Sequence, residues 1–123
     1  MKKIVIKALQ IQSQIRILHW QTTSYAEHAA FGSFYDKIDS VLDKLIETIQ
    51  GKYGRIFLGG LDSIPVSDYS NLKLNVFLLD IETFFSSEIF TCGIEKIRDP
   101  EIDNVIQEIR GEFNKLKYLL SLR

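Results

Sequence analysis

The sequence predicts an all-α fold: a four-helix bundle with one long crossover between helices two and three. Three observations carry it. Four stretches repeat apolar residues at spacings of three and four, which places them on one face of a helix. Start and stop signals bracket those stretches. Two of the three connections are short and the middle one is long. At 123 residues the chain is about one domain, and 1–123 is read as a single unit. A chain of this size buries enough surface to fold without a disulfide or a metal.

The first helix covers about residues 3 to 22. Ile4, Ala8, Ile11, Ile15 and Leu18 form its stripe, and neither Gly nor Pro interrupts it. Ser24 and Glu27 have the spacing of a capping box, in which each side chain bonds the other residue's N–H. A second helix therefore starts near Tyr25 and runs to about residue 52. Phe31, Phe34, Ile38, Leu42, Leu45 and Ile49 face the core, and Gly51 and Gly54 mark the end. Residues 53 to 70 have turn chemistry, with Gly54, Gly59, Gly60, Pro65 and Asp68 among them. The third helix is expected from 71 to 92, with Gly93 as its C′ residue. Asp99-Pro100 is a cap followed by proline at the first helical position. The fourth helix then runs from 100 to 122, with Ile102, Val105, Ile109, Phe113, Leu116 and Leu120 inward.

Short links make helices one and two, and three and four, antiparallel pairs. The middle link of about 18 residues reaches roughly 60 Å when extended. The second helix, about 27 residues long, spans roughly 40 Å. The link can therefore run the length of the bundle and make helices two and three parallel. That is the single-crossover arrangement of ferritin-like bundles. The competing expectation is a disordered loop between two hairpins. The third helix is apolar around most of its circumference and needs burial on more than one side. Ile56, Phe57 and Leu58 in the connection are candidates for that cover. A second subunit is the alternative, and it points to a homo-oligomer, at least a two-fold dimer.

Composition narrows the function classes. The net charge of −1 and pI near 6.1 argue against a nucleic-acid binder, whose affinity comes largely from neutralising phosphates. The apolar runs are too short and too broken by charge to span a membrane. Gln10, Gln12, Ser13 and Gln14 interrupt what would be a signal-peptide core after Met1. The lone Cys92 fits a reducing compartment. An intracellular, cytoplasmic protein is expected, in the host cytoplasm if a phage encodes it. No phosphate loop or nucleophile elbow is present, and no catalytic residue is assigned.

The chemistry concentrates between His19 and Glu47. Both histidines of the chain lie there. Asp36, Asp39, Asp43 and Glu47 follow at spacings of three and four, a row on one face of helix two that points away from the core stripe. Imidazole with carboxylate suits iron, zinc or manganese better than calcium or magnesium. The Glu-x-x-His pattern of a bundle-core di-iron site is missing, since Arg16 and Tyr25 stand three before the histidines. An outward metal site would need a second subunit. Blander roles compete for each residue. His19 can cap the end of helix one beside a core Trp20, and Asp43 and Glu47 can be a solvated face. Cys92 reads as a buried small hydrophobe, and Asp80 and Glu82 as edge residues of helix three.

His19-Trp20, His28 and Asp43-x-x-x-Glu47 resemble the mini-ferritins called Dps proteins. The resemblance implies a ferritin-like fold. It also implies a site shared across a two-fold axis, with His19 and His28 from one subunit and Asp43 and Glu47 from its mate. Asp36 is a further candidate ligand. The implied substrate is ferrous iron, oxidised by peroxide or oxygen. The chain departs from that family at Gly32, where an aspartate ligand is usual. It also has a loop about three residues shorter between the histidines, no basic tail, and a short overall length. The string HWQTTSYAEH…F..FYDKID…QGKYGR also resembles uncharacterised helical proteins of tailed phages. Two functions stay open: interface metal binding with Fe(II) oxidation, or a non-enzymatic helical assembly protein with a degenerate site.

Overall fold

The computed structural model describes residues 1–60 and 62–123. It contains four α-helices: α1 Lys2–Gln21, α2 Tyr25–Tyr53, α3 Leu74–Ser86 and α4 Pro100–Ser121. Short 3-10 segments, Tyr69–Asn71 and Glu88–Thr91, flank α3. No strand occurs among the described residues. The core is one continuous apolar cluster from all four helices, extended by Ile89 and Ile94.

Contacts between helices fix their directions. Along α2 and α4, Lys52 pairs with Glu101 at 2.7 Å and Lys44 with Glu108 at 3.4 Å. The Phe34 and Phe113 rings lie 4.6 Å apart, and Glu27 meets Arg123 at 2.8 Å. Numbers rise on one helix as they fall on the other, so the two are antiparallel over their whole length. Arg16–Asp39 at 2.7 Å holds α1 antiparallel to α2. Glu82–Lys117 at 3.1 Å joins α3 to α4 in the same sense.

The middle connection climbs α1 from end to end. Lys2 pairs with Asp62 at 3.0 Å. The buried Gln14 amide donates to Ser67 O at 2.9 Å and accepts from Ser67 N–H at 2.8 Å. Gln21 bonds Asp68 Oδ1 at 2.9 Å and Tyr69 N–H at 2.7 Å. The strap thus crosses the bundle, and α3 starts beside the end where α2 starts. The two run parallel. Gln14→Ala removes both bonds to the strap and leaves a hole inside. A loss of about 1–3 kcal/mol is expected, read as a lower urea midpoint; an unchanged midpoint would show that the strap does not depend on this residue.

Helix three is shorter than the 71 to 92 that the sequence suggests. It occupies 13 residues. Leu72 and Lys73 are extended after the first 3-10 turn, which delays its start. The Ser86 and Ser87 hydroxyls bond back to Thr83 O at 3.4 and 3.0 Å, the local competition by which serine weakens a helix interior. Ser87 leaves the helix at φ −141°, ψ −50°. Gly93 does take the left-handed region, at φ 99°, but it follows the second 3-10 turn rather than α3.

Other expectations also change. Phe57 is 78% exposed and does not cover α3, whose outer residues Val76 and Leu79 face solvent; Ile56 alone of the three candidates packs on the core. Trp20 is 71% exposed rather than core. Cys92 is half-buried. Asp80 and Glu82 are edge residues as expected, paired with Lys7 and Lys117. Ser24 caps α2 by accepting from Glu27 N–H at 3.3 Å, but the return bond of a capping box is not made. Glu27 instead accepts from Thr22 Oγ1 and from the Tyr69 hydroxyl, both at 2.8 Å. Burial, and then that bond, push the Tyr69 hydroxyl up to about 12.

Candidate metal centre

The turn between α1 and α2 brings the two histidines face to face. Their rings stack at 3.9 Å between centroids, 15° from parallel. Each ring bonds the other residue's backbone. His19 Nδ1 lies 2.8 Å from His28 O, and His28 Nδ1 lies 2.9 Å from His19 O. A carbonyl only accepts, so each Nδ1 carries the proton. In the neutral ring Nε2 is then the acceptor. Neither Nε2 has a hydrogen-bond partner among the described residues. Metal-binding histidines are held in this way, one nitrogen donating to a carbonyl while the other keeps its lone pair for the ion.

The crossed pair revises the capping role expected of His19. The last carbonyls of a helix lack partners within it, and His19 O is one of those in α1. His28 is the residue that satisfies it. Tyr35, one turn beyond Gly32, meets the His19 ring edge-on at 5.3 Å. Arg16 lies over the Tyr35 ring at 5.3 Å and pairs with Asp39. A continuous row of contacts therefore runs from His28 to Asp39 along the outer face of α1 and α2. The sequence showed these residues but not that they touch. The available signal was a mid-helix glycine four residues after His28.

The carboxylates lie further along the same face. Asp36, Asp43 and Glu47 are exposed, while Asp39 is half-buried. Asp39 Oδ1 is buried without a partner. None of Asp36, Asp43 and Glu47 makes an ion pair among the described residues. Asp43 and Glu47 border a shallow groove with Val5, Leu9 and Ile46. Fifteen residues of helix separate His28 from Asp43, roughly 22 Å at 1.5 Å per residue. One chain therefore brings the two histidines together but not the histidines and the carboxylates. Among the described residues, no three His, Cys, Asp or Glu side chains converge within the chain.

The sequence profile of one family matches residues 19–120. The chain belongs to DUF5856, a family of unknown function. The match takes in both histidines and the whole carboxylate row. This DUF5856 protein is also similar to an uncharacterised 14.6 kDa protein from the mobD-ri intergenic region of Enterobacteria phage T4. The two are 28% identical over 111 residues, which cover 90% of this chain and 80% of the relative. The expected likeness to phage proteins is thereby met. No solved structure matches the chain. No helix among the described residues is long and apolar enough to cross a membrane.

The remaining phage-like string, QGKYGR, has a structural role. Lys52 and Tyr53 both reach the buried carboxylate of Asp99. Lys52 Nζ lies 2.8 Å from Asp99 Oδ1, and the Tyr53 hydroxyl donates to the same oxygen. The chain turns away at Gly54 with φ 92°.

Proposed function

We propose that two copies of this DUF5856 protein bind a transition-metal ion between them, in a Dps-like arrangement of ferritin-like bundles. His19 and His28 of one copy supply Nε2 donors, and Asp43 and Glu47 of the other supply oxygens. Asp36 is the adjacent carboxylate on that face. The observation that carries the reading is the crossed Nδ1–H···O=C pair, which presents two imidazoles whose Nε2 atoms have no partner among the described residues. The donor set of two imidazoles and two carboxylates suits iron, zinc or manganese. The single-crossover topology supports the ferritin-like assignment. Where the ion is Fe(II), it is the substrate, and peroxide or oxygen takes its electrons.

Complementation tests the shared site. His28→Ala and Asp43→Ala, each alone, are expected to weaken Zn(II) binding at least about 100-fold by calorimetry, since each removes a direct ligand. Mixing the two variants should restore tight binding to half the sites of mixed dimers. Wild-type affinity in Asp43→Ala and Glu47→Ala would end the proposal. Fe(II) oxidation is then followed in the wild type.

A second reading has its own observation. Val76 and Leu79 on α3, Tyr118 on α4 and Leu122 just beyond its end are exposed apolar residues. They favour a helical assembly protein without metal chemistry. Chelation would then leave both oligomeric state and melting temperature unchanged.

A further inference from the structure

We propose that Gly32 is a positioning residue: it is the seat of the His19 ring, and it makes the two histidines one preorganised donor. The seat stands on the ring geometry; only its metal consequence rests on the interface reading above.

Glycine inside a helix is destabilising relative to alanine, so its presence in mid-α2 needs a reason. Backbone conformation does not supply one. The positive-φ glycines are Gly54, Gly59, Gly60 and Gly93, and Gly32 is not among them. Space does supply one. A Cβ at position 32 would stand 2.9 Å from His19 Cε1 and 3.3 Å from His19 Nδ1. The other helical glycines differ: a Cβ on Gly51 or Gly111 would meet nothing within 4 Å.

The ring has close neighbours on its other sides. His28 covers one face at 3.9 Å, and Tyr35 stands edge-on. The edge that a Cβ would strike includes Nδ1, the atom bonded to His28 O. Displacing it breaks the crossed pair and releases the tautomer. The proton can then move to Nε2 and block the ligand atom. Position 32 is therefore not a vacated ligand site. In this chain, whose loop between the histidines is shorter, a side chain at position 32 meets the His19 ring.

The test uses Gly32→Ala and Gly32→Asp in the full chain. Imidazole nitrogen NMR at neutral pH, without metal, reads the tautomers. Wild type should show Nδ1–H on both rings. Both variants should lose that signature at His19, while the melting temperature of Gly32→Ala changes little, because alanine's gain in the helix offsets the loss of the crossed bonds. Zn(II) affinity should fall about 10- to 100-fold in both, the usual effect of losing a partner that orients a ligand. A lost-ligand account expects Gly32→Asp to gain affinity instead, and a gain would overturn the seat. An unchanged His19 tautomer in both variants would overturn it as well. If wild type binds no Zn(II), the interface reading fails alone, and the tautomers still decide the seat.

Discussion

Asp99→Ala is expected to cause the largest loss of stability of any single polar substitution, a fall of about 10 °C or more in melting temperature. The Asp99 carboxylate is fully buried at the junction of α2 and α4. It accepts from Lys52 at 2.8 Å, the Tyr53 hydroxyl, Glu95 N–H at 2.9 Å and Arg98 at 3.1 Å. Removing it takes the acceptor from the Tyr53 hydroxyl and the Glu95 N–H and one of two carboxylate partners from each cation, leaving Lys52 with Glu101 and Arg98 with Glu95. Burial by itself would raise the carboxyl; the bonds from Lys52, Tyr53, the Glu95 N–H and Arg98 outweigh it and hold Asp99 well below the usual carboxylate range.

The sign of the pH effect follows. A carboxyl whose folded pKa lies below its unfolded value stabilises the fold fully above the unfolded value, near 3.9. That contribution drains away as pH falls from about 4 toward the folded value. Asp99→Asn should therefore be less stable than wild type at neutral pH, with the difference narrowing under acid. Melting curves between about pH 2 and 7 check it. Parallel curves for the two proteins would show that the carboxylate charge is not what the junction needs.

Phe31→Ala is expected to cost about 3–5 kcal/mol, the range for emptying an aromatic site in a core. Phe31 is fully buried and meets the Tyr69 ring edge-on at 6.4 Å, tying α2 to the upper end of the strap. It also sits on the inner side of the helical turn between His28 and Gly32. The guanidinium midpoint should fall with an unchanged slope, the pattern of lost stability without a change in compactness. A change below about 1 kcal/mol would mean that the surrounding side chains close over the cavity.

Helices α1, α2 and α4 were legible almost to the residue. Their apolar stripes are long, and Ser24, Gly54 and Pro100 mark ends that local chemistry controls. The crossover was legible from connection length against helix length. Helix α3 was not, because apolar periodicity continues through Ser86 and Ser87 while their hydroxyls compete for the backbone. Trp20 misled for another reason: its size suggested core, but the α1 stripe ends at Leu18. The outward carboxylate row followed from angular position alone. The histidine stack did not, since a short loop brings two residues near without fixing ring planes. The role of Gly32 was hidden as well. A sequence shows that a side chain is missing there, not what occupies its volume. The Asp99 cluster joins residues 46 positions apart, and no local pattern announces such a meeting.

The strap also closes a far longer loop than the histidine pair does. The crossed histidine bonds span nine positions, whereas Gln14 and Ser67 are 53 apart. Loop-closure entropy makes the longer contact about 1.6 kcal/mol costlier to form. The α1–α2 hairpin can therefore close before the strap is laid along it. The two imidazoles are thus brought together by a local contact that needs none of the half of the chain that completes the bundle.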